Sequence, residues 1–224
     1  MASLLSSLSW KFAERIASQA VSFVVSIVLA RILAPSDYGA IAMVMIFVTL
    51  ANVIVEGGFS SALIQKKNAD KLDFSTVFYF SLVFSIVLYA ILYIAAPSIS
   101  RFYGDGYEVL TPVLRVIGIQ VVIYAVNSVQ QAYVSKKMMF QKFFWSTLVG
   151  TIVSAILGLV MAYTGCGIWA LVGQQLSMAV TNVLVLYIVT KKLPGLMFSF
   201  ERLKSLFDYG AKILGASLLV SLFL

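Results

Sequence analysis

WKFAERIASQAVSFVVSIVLARILAPSDYGAIAMVMIFVTLANVIVEGGFSSALIQKK, residues 10–67, is the stretch on which the fold turns. Two long apolar runs, about Phe12–Leu33 and Ala40–Leu63, flank a five-residue turn at Pro35-Ser36-Asp37-Tyr38-Gly39. Each run reaches the ~20 residues that a helix rising 1.5 Å per residue needs to cross a hydrocarbon core of about 30 Å. Neither run is apolar all round. Arg15, Gln19, Ser22 and Ser26 recur at i, i+4, i+7 and i+11, and Thr49, Asn52, Glu56 and Ser60 at i, i+3, i+7 and i+11. Each set therefore shares one side of its helix. A helix bathed in lipid gains nothing from such a stripe, so both are expected to face protein or a wet cavity.

The rest of the chain extends the pattern. Of 224 residues, 61% are hydrophobic and 11% charged, against about 25% charge in an ordinary soluble domain. Further spans lie near 74–96, 112–134, 144–164 and 168–190, and a seventh begins near 206. The expected class is all-α, a polytopic membrane helical bundle. Residues 1–190 would form a six-helix lobe, 191–207 a linker with an interfacial helix, and 208–224 the first helix of a second lobe. From the odd last span, with a faint echo of Arg15-Ile16 in Lys212-Ile213, the chain is expected to be the N-terminal part of a longer protein.

The net charge of +7 has a topological reading. Assigned to alternate sides, twelve Lys and Arg residues fall with the N-terminus and only Arg31 and Arg101 opposite, while Arg115 and Lys212 lie inside spans. That bias places the N-terminus in the cytoplasm and argues against a nucleic-acid footprint. The first apolar run exceeds the 7–15 residues of a signal peptide, so it is read as retained. Histidine is absent, and Cys166 is the only cysteine, so the commonest general base is missing and no internal disulfide can form. No metal-ligand cluster, phosphate-binding glycine loop or nucleophile–base set is visible, and an enzyme is not expected.

Local signals refine the picture. The lead-in MASLLSSLSW sets Trp10 at an interface, and Gln65–Asp73 is a short charged cytoplasmic loop. Pro97 is expected to end the third span, Gly104-Asp105-Gly106 to turn, and Thr111-Pro112 to open the fourth. That fourth span carries a third stripe, Gln120, Tyr124, Asn127 and Gln131, with Arg115 on another side as an interfacial or snorkelling residue. Thr147, Gly150, Thr151, Ser154 and Gly158 line one side of the fifth span, where small residues let backbones approach. Gly57-Gly58 reads as a close-packing or hinge point, and residues 200–207 as an amphipathic helix on the membrane surface.

Glu56 demands a reason, since an ionised group at the bilayer centre costs about 2.5–3.5 kcal/mol on insertion scales. Two readings stand open. In one, Arg15 and Glu56 form an ion pair that joins two helices. In the other, they line a cytoplasm-facing polar cavity in which cations attract an anionic substrate.

Leu29-Ala30-Arg31-Ile32-Leu33-Ala34-Pro35-Ser36-Asp37-Tyr38-Gly39 resembles the first external turn of the polysaccharide-transporter family, the lipid-linked oligosaccharide flippases of the MATE-like (MOP) superfamily. In the same order come Glu56-Gly57-Gly58-Phe59 through Ala62-Leu63-Ile64-Gln65, Pro112-Val113-Leu114-Arg115, and Gln131-Ala132-Tyr133 with Lys136-Lys137-Met138. Gly167-Ile168-Trp169-Ala170-Leu171-Val172 and Phe198-Ser199-Phe200 follow. The similarity is greatest to the exopolysaccharide and teichuronic-acid exporter branch.

The resemblance implies a MATE-like N-terminal lobe in the bacterial cytoplasmic membrane. It implies a polyprenyl-pyrophosphate-linked oligosaccharide as substrate, carried by alternating access for surface polysaccharide biosynthesis. It leaves open a polymerase or ligase of the same pathway as a partner. No cofactor is implied. By position on the stripes and not by a motif match, Arg15, with Lys212, would meet the pyrophosphate, and Gln19, Asn52, Asn127 and Gln131 would complete the substrate site. Glu56 would be a proton or sodium site. A MATE-type multidrug antiporter and a non-transporting scaffold of a polysaccharide-synthesis complex are the alternatives; the first would favour a more acidic cavity, the second dry polar stripes.

Overall fold

A computed structural model describes residues 2–56, 59–66, 69–104, 106–190, 195, 197–204 and 206. Its helices are α1 (Ala2–Ile32), α2 (Pro35–Glu56), α3 (Phe59–Gln65), α4 (Lys71–Phe102), α5 (Leu110–Ile117), α6 (Ile119–Lys136), α7 (Phe140–Tyr163) and α8 (Ile168–Thr190). Among the described residues six segments are long and apolar enough to cross a membrane; α2 with α3, and α5 with α6, each count as one. Gly57-Gly58, the expected seventh span and Lys212 lie outside the described residues.

Two expected breaks are helical instead. The turn between the first spans shrinks to Leu33-Ala34, because Pro35 enters α2 as its first residue. Proline suits that position, where its missing N–H has no acceptor to serve, and Asp37 Oδ2 reaches back to accept from the Ala34 amide at 3.3 Å. Pro97 likewise does not end α4, which continues to Phe102. A proline inside a helix orphans the carbonyl four residues earlier, here that of Tyr93. Arg115 supplies the missing donor: its Nε lies 3.3 Å from Tyr93 O, and its guanidinium sits 4.4 Å from the Tyr93 ring centroid. Tyr89 Oη returns a hydrogen bond to Arg115 O at 3.0 Å. Arg115 is thus tied to α4 through both its side chain and its carbonyl.

Helix ends follow familiar physical rules. Asp70 and Asp73 close a reciprocal capping box at the start of α4. At the end of α7, Gly165 takes a φ of +78°, and the Cys166 amide reaches Met161 O at 3.0 Å. The end of α6 makes the same arrangement with Met138 at φ +53° and the Met139 amide on Val134 O at 3.0 Å. Glycine would be the unstrained residue there.

Packing builds two layers of contact. Helices α7 and α8 form a tight antiparallel pair, with α1 against another side of α7. The small-residue side of α7 is buried as expected: Gly150, Thr151, Ser154 and Gly158 are all covered. A Cβ on Gly150 would stand 2.1 Å from Asn182 Oδ1, and one on Gly158 3.0 Å from Gln174 Cβ. Helices α2, α4, α5 and α6 share the main core around Val48, Val55, Leu114, Ile117 and Val121. Val83, Ile94, Ile156 and Ile188 point outward, as lipid-facing residues do. At the lysine-rich end, Phe59, Leu63, Val77 and Val129 enclose a second core that also takes in Leu203 and Leu206. The amphipathic segment is thus helical at 200–204, with Leu203 inward and Phe200 outward.

Candidate functional site

Two of the three polar stripes meet. Tyr124 Oη on α6 donates to Glu56 Oε2 on α2 at 3.2 Å. One turn further, Ser60 Oγ donates to Ser128 O at 3.5 Å. Both pairs are 68 residues apart in the chain, so the segments α2–α3 and α5–α6 run parallel in one register. Extending that register one turn the other way sets Asn52 level with Gln120. Asn52 Oδ1, Gln120 Oε1 and Asn127 Oδ1 are buried and have no hydrogen-bond partner among the described residues. A buried amide left unpaired costs about 1–3 kcal/mol. With the Glu56 carboxylate, these stripes present acceptors suited to hydroxyl donors, water or a small cation.

The stripe on α1 is elsewhere. Arg15, Gln19, Ser22 and Ser26 are all exposed, and α1 lies against α7. Arg15 and Gln19 border a shallow hollow of about 420 Å³ with Phe12, Ile16 and Phe23, all from the same helix. No ion pair joins Arg15 to Glu56 among the described residues. Of the expected substrate and ion residues, then, Glu56, Asn52 and Asn127 lie on the two stripes that meet, with Gln131 half-buried further along α6. Arg15 and Gln19 are not brought to them. Adjacency in sequence suggested otherwise, but α7 occupies the neighbouring place.

Sequence reading missed a charge network at the lysine-rich end. Asp73, fully buried, accepts from Lys66 Nζ at 2.7 Å and from Arg202 Nη1 at 3.5 Å. Arg202 Nη2 also lies 3.7 Å from Asp70 Oδ2. The hydrogen bond from the Asp73 amide holds the Asp70 carboxyl below the ordinary aspartate range, with the charges of Arg202 and Lys66 adding to it. Ser199 donates its amide to Thr76 Oγ1 at 3.1 Å, fixing the segment before Arg202. Lys136 Nζ closes the end of α3, donating to Leu63 O at 2.9 Å and to the carbonyls of Ile64 and Lys66. The Asp70–Asp73 spacing before an apolar run was the signal available for this cluster. Among the described residues no group of acidic or cysteine side chains could hold a metal ion.

These features are those of a multi-pass membrane protein with a MATE-like helical fold. The crystal structure of a MATE point mutant superposes at a TM-score of 0.69 with 20% identity, over 95% of this chain and 53% of that one. A MOP superfamily transporter from Pyrococcus furiosus superposes at 0.65 with 18% identity, over 91% and 50%. The family profile described as "Polysaccharide biosynthesis protein" matches residues 28–223, and the chain belongs to that family. The succinoglycan biosynthesis transport protein ExoT of Rhizobium meliloti is 23% identical over 93% of this chain and 42% of its own length. The teichuronic acid biosynthesis protein TuaB of Bacillus subtilis is 23% identical over 72% and 33%. The lipopolysaccharide biosynthesis protein WzxC of Escherichia coli is 23% identical over 86% and 39%. The chain thus spans less than half the length of these curated relatives.

Proposed function

We propose that this chain forms one lobe of a flippase that carries polyprenyl-pyrophosphate-linked oligosaccharide across the bacterial cytoplasmic membrane. Residues 1–190 act as the lobe, 191–207 as the cytoplasmic linker, and 208–224 as the first helix of a second lobe. The N-terminus and the lysine-rich end face the cytoplasm, consistent with the charge bias.

The observation that carries this reading is the uncovered polar side of α1. Arg15, Gln19, Ser22 and Ser26 are exposed together within a helix of membrane-spanning length. A cation in lipid is costly, so this side belongs against a wet cavity shared with a second lobe. Relatives more than twice the matched length supply room for such a lobe. Arg15, with Lys212, would hold the pyrophosphate, and Gln19 the adjoining polar groups. The acceptor-rich stripes of Asn52, Asn127 and Gln131 would meet sugar hydroxyls. Glu56, held by Tyr124, would take up a proton or sodium ion and bias the two access states, since only differential affinity shifts such an equilibrium.

Arg15→Ala in the complete transporter should abolish surface-glycan export while membrane insertion stays intact. Normal export in that variant overturns the pyrophosphate role.

A further inference from the structure

A hollow of about 820 Å³ opens at the lysine-rich end, with α6 as its floor, α4 on one side, the end of α8 on another, and Gly195 and Met197 beside it. We infer that it holds the headgroup and upper chains of an anionic phospholipid. It shares no residue with the polar stripes of α2 and α6, and the inference does not depend on the transport reading.

The charges at its rim are unequal. Lys136 is spent on the carbonyls that end α3. Asp70 is turned to the Asp73 amide and to Arg202. Lys71 and Lys137, both exposed, make no ion pair among the described residues and leave a net positive rim. Deeper in, Phe74, Phe78 and Val126 supply apolar walls. Between rim and wall lies Gln130, whose Oε1 is buried with no hydrogen-bond partner among the described residues. That acceptor suits a hydroxyl-bearing headgroup. Cations at the mouth and an apolar floor beneath them follow the polarity of a phosphatidylglycerol molecule from phosphate to acyl chain, with the Gln130 acceptor within reach of a headgroup hydroxyl turned back beside the phosphate. The place fits as well, since the hollow lies where α4 begins and α6 ends, at one face of the spanning bundle. Basic pockets between spanning helices are where anionic headgroups bind. A bare phosphate would leave most of this space, which is of small-molecule size, unfilled.

The test is thermal unfolding of the detergent-solubilised protein titrated with phosphatidylglycerol, phosphatidylcholine or glycerol 3-phosphate. Phosphatidylglycerol alone should raise the melting temperature, because a ligand of the folded state stabilises it. Lys71→Gln with Lys137→Gln should weaken its apparent affinity about 30-fold, near fivefold per lysine at about 1 kcal/mol each. Val126→Trp, which fills the floor and keeps both lysines, should weaken it at least tenfold. Lys71→Arg with Lys137→Arg should retain binding and report that the rim still folds. Equal stabilisation by phosphatidylcholine, or full affinity in either the glutamine or the tryptophan variant, overturns the site. Glycerol 3-phosphate matching the lipid overturns it too, leaving only a free-anion site.

Discussion

Tyr124 on α6 donates its hydroxyl hydrogen bond to the Glu56 carboxylate on α2 at 3.2 Å, and this bond sets the register of two parallel spans. Glu56 is half-buried, so Tyr124 replaces one of the water contacts the carboxylate gave up. A double-mutant cycle with Tyr124→Phe and Glu56→Gln, read by unfolding in detergent, should return a coupling of about 0.6 kcal/mol and at most about 1.7 kcal/mol, the average and upper end for hydrogen bonds between membrane helices. Strict additivity of the two variants would remove the bond as a link between α2 and α6.

Asp73 should matter more than its partner Arg202. Truncating Asp73 to Ala strips Lys66 of its acceptor and opens a buried position, which should cost about 2–4 kcal/mol. Arg202 is half-exposed and water can replace its contacts, so Arg202→Ala should cost no more than about 1 kcal/mol. Equal losses on chemical unfolding would mean that Arg202 is held more tightly than its exposure indicates.

Acid should loosen the start of α4. The folded-state pKa of Asp70 is depressed, so its contribution is complete above the unfolded value of about 3.9 and disappears as pH falls through the lower folded value. Hydrogen exchange at the first amides of α4 should therefore quicken over that acidic interval. Asp70→Asn should flatten the dependence, and an unchanged profile would remove Asp70 from the cap.

Met138→Gly should stabilise the protein. Its left-handed backbone costs an L-residue about 1–2 kcal/mol, part of which glycine returns through its freer unfolded chain, leaving a net gain of about 0.5–1 kcal/mol. A lower melting temperature would show that the Met138 side chain contributes more than its strained backbone costs.

Arg115 and Pro97 should be coupled. Arg115→Ala leaves the Tyr93 carbonyl without its donor and should cost about 1–2 kcal/mol. Pro97→Ala restores an internal N–H for that carbonyl, so the same truncation should cost visibly less in its background. Identical costs in both backgrounds would separate the guanidinium from the proline gap.

Sequence carried much of this structure and little of its adjacency. Apolar length alone gave the six spans, and the spacing of Gly150, Ser154 and Gly158 pointed to a packed side that α8 covers. The stripe arithmetic also put Glu56 and Tyr124 on polar sides, because helical periodicity is local. It could not say that α1 would lie on α7, since the order of spans around a bundle depends on contacts between distant residues. Asp73 looked like one more charge in a polar loop because burial is conferred by Lys66, Arg202 and the second core. Pro97 looked like a stop because its compensation comes from Arg115, eighteen positions on and in a different helix.

Lys136 and Lys66 give the lysine-rich rim a mechanical character. One lysine crosses from α6 to the last carbonyls of α3, and the other, just past α3, is moored to α4 through Asp73. Three separate segments are knotted at a single place. A tilt imposed on any of these three is resisted by the ties to the other two.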